Sequence, residues 1–103
     1  MTTTLIDDHH AQIADLCRSF GVRRLDVFGS AVREDFDPER SDVDFLVDFA
    51  QDNARNRFRD YFAFRDALAR LLDRPVDLVM ARALTNRYLE AAIDAERRLV
   101  YAA

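Results

Sequence analysis

Phe28-Gly29-Ser30-Ala31-Val32-Arg33-Glu34-Asp35-Phe36-Asp37-Pro38-Glu39-Arg40-Ser41-Asp42-Val43-Asp44-Phe45 joins two apolar stretches, and its two ends decide how the chain folds. Before it run Val22, Leu25 and Val27; after it run Leu46 and Val47. Each stretch reads as a strand, with Gly29-Ser30 as a tight turn leaving the first and Ser41-Asp42 opening the second. Residues i and i+2 of an extended strand point to the same side. Asp42 and Asp44 then present two carboxylates on one face, about 7 Å apart along the chain. Like charges that close disfavour joint ionisation. A divalent cation relieves that repulsion, and hard oxygen ligands suit Mg²⁺. A Gly-Ser turn offers close backbone approach, N–H donors and a hydroxyl, which a phosphate needs. A phosphate cradle beside a metal-binding pair points to nucleotide chemistry.

The flanking sequence completes an α/β order. Asp7 and Asp8 are expected to cap a helix running to about Phe20, with Gly21 as its stop. Ile13, Leu16, Cys17 and Phe20 fall at helical spacing. His9 and His10 are adjacent, so they point in different directions on a helix and read as solvent-exposed rather than as a metal pair. Residues 30–34 are expected to form a short helical turn, and Asp37-Pro38 a loop. Val43–Phe49 is apolar on both faces, as a central strand is.

A long helix is expected over 56–72, with Phe58, Tyr61, Phe62, Arg65, Leu68, Ala69 and Leu72 on one face. Its aromatic residues, Phe64 included, read as core and as partner surface. Asp73-Arg74-Pro75 ends it. A third strand follows over 75–80, a helix over 86–97, and a short strand or tail at 99–101. The fold class is α/β (α+β): a small mixed β-sheet with helices packed on it.

Asp77 stands in the apolar run Pro75-Val76-Asp77-Leu78-Val79-Met80, where a carboxylate needs a reason. Either it points to water from an edge strand, or its strand lies beside Val43–Phe49 and it joins Asp42 and Asp44. In the second case two acids hold metal and the third accepts a proton from an incoming hydroxyl.

Bulk properties narrow the class. A chain of 103 residues, half of them apolar, is expected to form one domain over 1–103. With 19 acidic and 15 basic residues the net charge is −4, which argues against a general nucleic-acid binder, and no direct DNA binding is expected. The single Cys17 makes no intrachain disulfide and reads as a small buried apolar residue. No stretch approaches a membrane span and Met1-Thr2-Thr3-Thr4 does not begin a signal peptide, so the expected location is cytoplasmic.

Gly29-Ser30-x-x-Arg33, then Ser41-Asp42-x-Asp44, then Asp77 in a later strand, resembles the polymerase-β-like nucleotidyltransferase superfamily. Within it, the chain length and the Val-Phe-Gly-Ser…Ser-Asp-Val-Asp-Phe-Leu-Val arrangement are similar to the minimal nucleotidyltransferase (MNT) branch. Members of that branch are commonly encoded beside a HEPN-domain protein as a toxin–antitoxin pair. The resemblance implies that Gly29, Ser30, Arg33 and Ser41 bind the nucleotide. It implies that Asp42 and Asp44 bind Mg²⁺, with Asp77 as the third acid of the metal site and the partner of the acceptor hydroxyl. The implied reaction is in-line displacement at the α-phosphate of ATP, with pyrophosphate leaving. The implied role is an antitoxin that transfers AMP to a hydroxyl, tyrosine being the expected acceptor, of a HEPN ribonuclease. Two rivals stand beside it: a non-catalytic antitoxin that covers its toxin, and transfer to a small molecule at a site built across a homodimer. Many members place glycine after the arginine; here Glu34 and Asp35 follow Arg33 and are expected to point outward. Arg33 and Arg40 can also be read as solvated loop arginines.

Overall fold

The computed structural model describes residues 4–29, 42–50 and 57–103. Its elements are α1 (Thr4–Asp8), α2 (His10–Ser19), β1 (Val22–Phe28), β2 (Val43–Phe49), α3 (Arg57–Leu72), β3 (Val76–Met80), α4 (Arg87–Glu96) and β4 (Arg98–Ala102). A 3₁₀ turn, Ala81–Ala83, follows β3. The four strands form one mixed sheet in the order β3-β2-β1-β4. β1 runs antiparallel to both β2 and β4, and β2 runs parallel to β3. The α3 helix makes the crossover that a parallel β2–β3 pair requires. β2 is therefore interior, as its apolar faces require, while β3 and β4 are edges.

One sheet face carries the core. Val22, Leu25 and Val27 of β1, Val43, Phe45 and Val47 of β2, Leu78 of β3 and Val100 of β4 pack with Ile13 and Cys17 of α2 and Phe64, Leu68 and Leu72 of α3. The alternate positions of the central strands, Arg24, Asp26, Asp44, Leu46 and Asp48, belong to the other face. Period-2 alternation thus divides helix-covered residues from a face that holds most of the sheet's charge.

The helix boundaries differ from the expected ones for identifiable reasons. The N-terminal helix is two helices broken at His9, whose ring bonds the Leu5 carbonyl at 2.9 Å. Asp7 and Asp8 lie inside α1, so neither caps α2. His10 is exposed, as expected, and its ring also reaches the Val100 carbonyl at 3.0 Å, tying α2 to β4. Asn86 is the N-cap of α4, its side-chain oxygen accepting the N–H groups of Tyr88 (2.9 Å) and Leu89 (3.2 Å). On α3 the buried stripe runs through Phe64, Leu68 and Leu72, with Tyr61 and Leu71 beside it. Phe62, placed on the core face by sequence, is 47% exposed, whereas Phe64, read also as partner surface, is fully buried between Phe20 and Phe49. No helix among the described residues is long and apolar enough to cross a membrane.

Candidate active site

The topology gathers the chemistry-bearing residues at one end of the sheet. The C-terminal end of β1 lies beside the N-terminal end of β2, because those strands are antiparallel. The start of β3 joins them because it is parallel to β2. Phe28 pairs with Asp44, and Asp44 pairs with Asp77, forming one row across three strands. Residues paired in register project to the same face. Asp77 is thus both an exposed edge-strand residue and the neighbour of Asp44. Asp42, exposed, sits just ahead of β2, where continued alternation keeps it on that face.

Asp44 is half-buried against the turn that leaves β1. Gly29 has φ +73°, a conformation that L side chains rarely adopt. A Cβ there would stand 2.2 Å from Asp44 Oδ2 and 3.2 Å from its Cγ. Glycine is required twice over, by backbone angle and by the carboxylate against its α-carbon. The Gly29 N–H donates to Glu96 Oε1 of α4 at 3.0 Å. Among the described residues no three acidic, histidine or cysteine side chains converge as a metal-binding group. Asp44 and Asp77 are neighbours in the sheet register, and Asp42 lies two residues before Asp44 on the same strand line. Ser30, Arg33 and Ser41 lie outside the described residues.

The chain matches the family described as Nucleotidyltransferase domain over residues 11–101. It belongs to that family. The nucleotidyltransferase of Thermococcus cleftensis named protein adenylyltransferase MntA is 38% identical over 87 residues, covering 84% of this chain and 81% of that protein. A solved structure described as a minimal nucleotidyltransferase superimposes with a TM-score of 0.76 at 30% identity, covering 95% of each chain. A chain in a solved complex of a tri-AMPylated Shewanella oneidensis HEPN toxin with an MNT antitoxin aligns at TM-score 0.67 and 21% identity, covering 95% of this chain and 73% of that one. The last likeness concerns the fold alone. The expected polymerase-β-like nucleotidyltransferase fold, a mixed sheet with packed helices, is the fold observed.

Two residues of this nucleotidyltransferase that sequence reasoning missed shape the same face. Asp26 is only 1% exposed. Arg24 grips it through Nε (2.8 Å) and Nη2 (3.2 Å), and Arg97 Nε bonds it from the α4–β4 junction at 3.0 Å. Its carboxylate in turn holds the Arg24 guanidinium above the ordinary arginine range, mainly by hydrogen bonding. A small cavity of about 70 Å³ opens between Asp26, Leu46, Asp48, Ala81 and Arg97. The signal for Asp26 was a carboxylate between Leu25 and Val27, the same anomaly that drew notice to Asp77. Glu96 left no such signal, because it ends a polar helix face and meets Gly29 only through the tertiary fold.

Proposed function

We propose that this nucleotidyltransferase is an antitoxin that transfers AMP from ATP to a hydroxyl, a tyrosine hydroxyl foremost, of a HEPN-type ribonuclease toxin. The observation that carries the reading is the Asp44 carboxylate lodged against Gly29 and in register with Asp77, within a nucleotidyltransferase domain. The similarity to a named protein adenylyltransferase favours a protein acceptor, and the likeness to an antitoxin complexed with an AMPylated HEPN toxin favours that acceptor class.

The donor set fits Mg²⁺. Asp42 and Asp44 supply hard oxygens, and Mg²⁺ keeps several waters and takes further ligands from substrate phosphates, so a closed protein cage is not needed. When bound, the ion neutralises charge on the triphosphate and aligns it. The turn at Gly29-Ser30, with Ser41 and Arg33, holds the phosphate chain. The acceptor oxygen forms a bond to the α-phosphorus while the bond from that phosphorus to the β-bridging oxygen breaks and pyrophosphate departs. Asp77 takes the hydroxyl proton. The transferred phosphate places negative charge on the toxin and opposes RNA binding.

Purified chain, labelled ATP, Mg²⁺ and a HEPN partner test this directly. Asp44→Asn is expected to lose nearly all label transfer while keeping the folded circular-dichroism spectrum. Equal labelling by wild type and variant overturns the reading. Undiminished rescue of toxin-expressing cells by Asp44→Asn instead assigns neutralisation to contact alone.

A further inference from the structure

We infer that Glu96 is a positioning residue for the acidic pair, acting through Gly29; the inference rests on the transfer reading above. Glu96 is the last residue of α4, and its Oε1 accepts the N–H of Gly29, 67 positions earlier. That bond holds the peptide plane between Phe28 and Gly29. The far side of Gly29 is filled, because the Asp44 carboxylate occupies the place where a Cβ would stand. Gly29 is buried between two acids: Glu96 on its amide and Asp44 where a side chain would begin. Turning this peptide moves the α-carbon relative to Asp44 Oδ2, so the orientation set by Glu96 passes to a proposed metal ligand.

The same bond changes the part Gly29 plays. An N–H held by a carboxylate at 3.0 Å does not also serve a phosphate oxygen. While this bond is in place, Gly29 contributes to the turn by its shape rather than by its N–H. Arg97, next in sequence, clamps Asp26. The α4–β4 junction thus fixes two points of the charged face, one at each of two adjacent residues.

The chain contains two glycines, Gly21 and Gly29, so glycine-specific ¹⁵N labelling gives two amide resonances. Glu96→Ala is expected to move the Gly29 resonance upfield and leave Gly21 in place. Glu96→Gln, whose carboxamide oxygen still accepts, retains most of the original shift. With ATP, Mg²⁺ and acceptor protein, Glu96→Ala lowers kcat on the order of 10- to 100-fold, the range for residues that orient metal ligands, with KM for ATP little changed. Glu96→Gln restores most of that loss. An identical Gly29 resonance in wild type and Glu96→Ala overturns the inference. So does tighter ATP binding with undiminished kcat in the alanine variant, which makes Glu96 a competitor of the nucleotide. A wild-type chain that transfers no nucleotide while the Gly29 resonance still follows Glu96 overturns the transfer reading and leaves the contact standing.

Discussion

Gly21 and Gly29 share a left-handed backbone, at φ +68° and +73°, and differ in what surrounds them. A Cβ at position 21 would meet nothing within 4 Å, whereas at position 29 it would strike Asp44. Gly21→Ala is therefore expected to cost about 1–2 kcal/mol, the conformational penalty alone. Gly29→Ala costs more and also displaces the Asp44 carboxylate, so nucleotide transfer falls with it. Thermal unfolding of both variants beside a transfer assay checks the pair; equal losses of stability, with transfer intact, would show that the Asp44 contact is slack. Asp26 belongs to this scale as well. Removing the buried Asp26 carboxylate releases Arg24 and leaves Arg97 paired with Asp94, and because both guanidiniums reach solvent a loss of about 1–3 kcal/mol is expected.

The elements show where sequence reasoning succeeded. Val22–Phe28 and Val43–Phe49 were legible as strands because β-branched and aromatic residues sit between turn-forming residues, and a strand needs only a short local signal. The proximity of Asp77 to Asp44 was legible because an apolar strand following a long helix tends to pair in parallel with the strand before it. On α3 the expected stripe shares Tyr61, Leu68 and Leu72 with the observed one but takes in Phe62 where packing uses Phe64. Phe58, Tyr61, Phe62, Phe64, Leu68, Leu71 and Leu72 crowd the helix with apolar side chains, so the 3.6-residue period alone admits more than one stripe. Packing decides: Phe64 fills the space between Phe20 and Phe49, and the Tyr61 hydroxyl bonds the Leu78 carbonyl. Phe64→Ala is accordingly expected to destabilise the fold by about 3–5 kcal/mol. Phe62→Ser loses about 1 kcal/mol or less, since its exposed ring meets Tyr61 edge-on and lies under the Arg65 guanidinium. Urea denaturation of the two variants distinguishes this packing from the expected face, which would reverse the order.

Across the whole molecule, burial of one thiol couples stability to alkaline pH. Cys17 lies in the core and its thiol is pushed up from 9.0 to about 12 by desolvation, with Arg18 opposing. The folded chain keeps this proton while the unfolded chain releases it, so between those values the native state binds more protons. The stability from the buried neutral thiol is complete below pH 9 and is lost as pH rises towards 12. Cys17→Ala is expected to flatten that part of the stability–pH curve, which denaturant titrations at pH 8 and pH 10.5 can measure; parallel declines in both proteins would remove the thiol as the cause. The strand order β3-β2-β1-β4 has a temporal consequence. The first strand made by the ribosome has one border that stays open until the last strand emerges. Residues 29, 44 and 77 can meet early, but the anchor at 96 and the seal along β1 arrive together, after β3. A nascent polypeptide halted before α4 carries Asp44 and Asp77 without Glu96, so the proposed brace forms only after that helix has emerged.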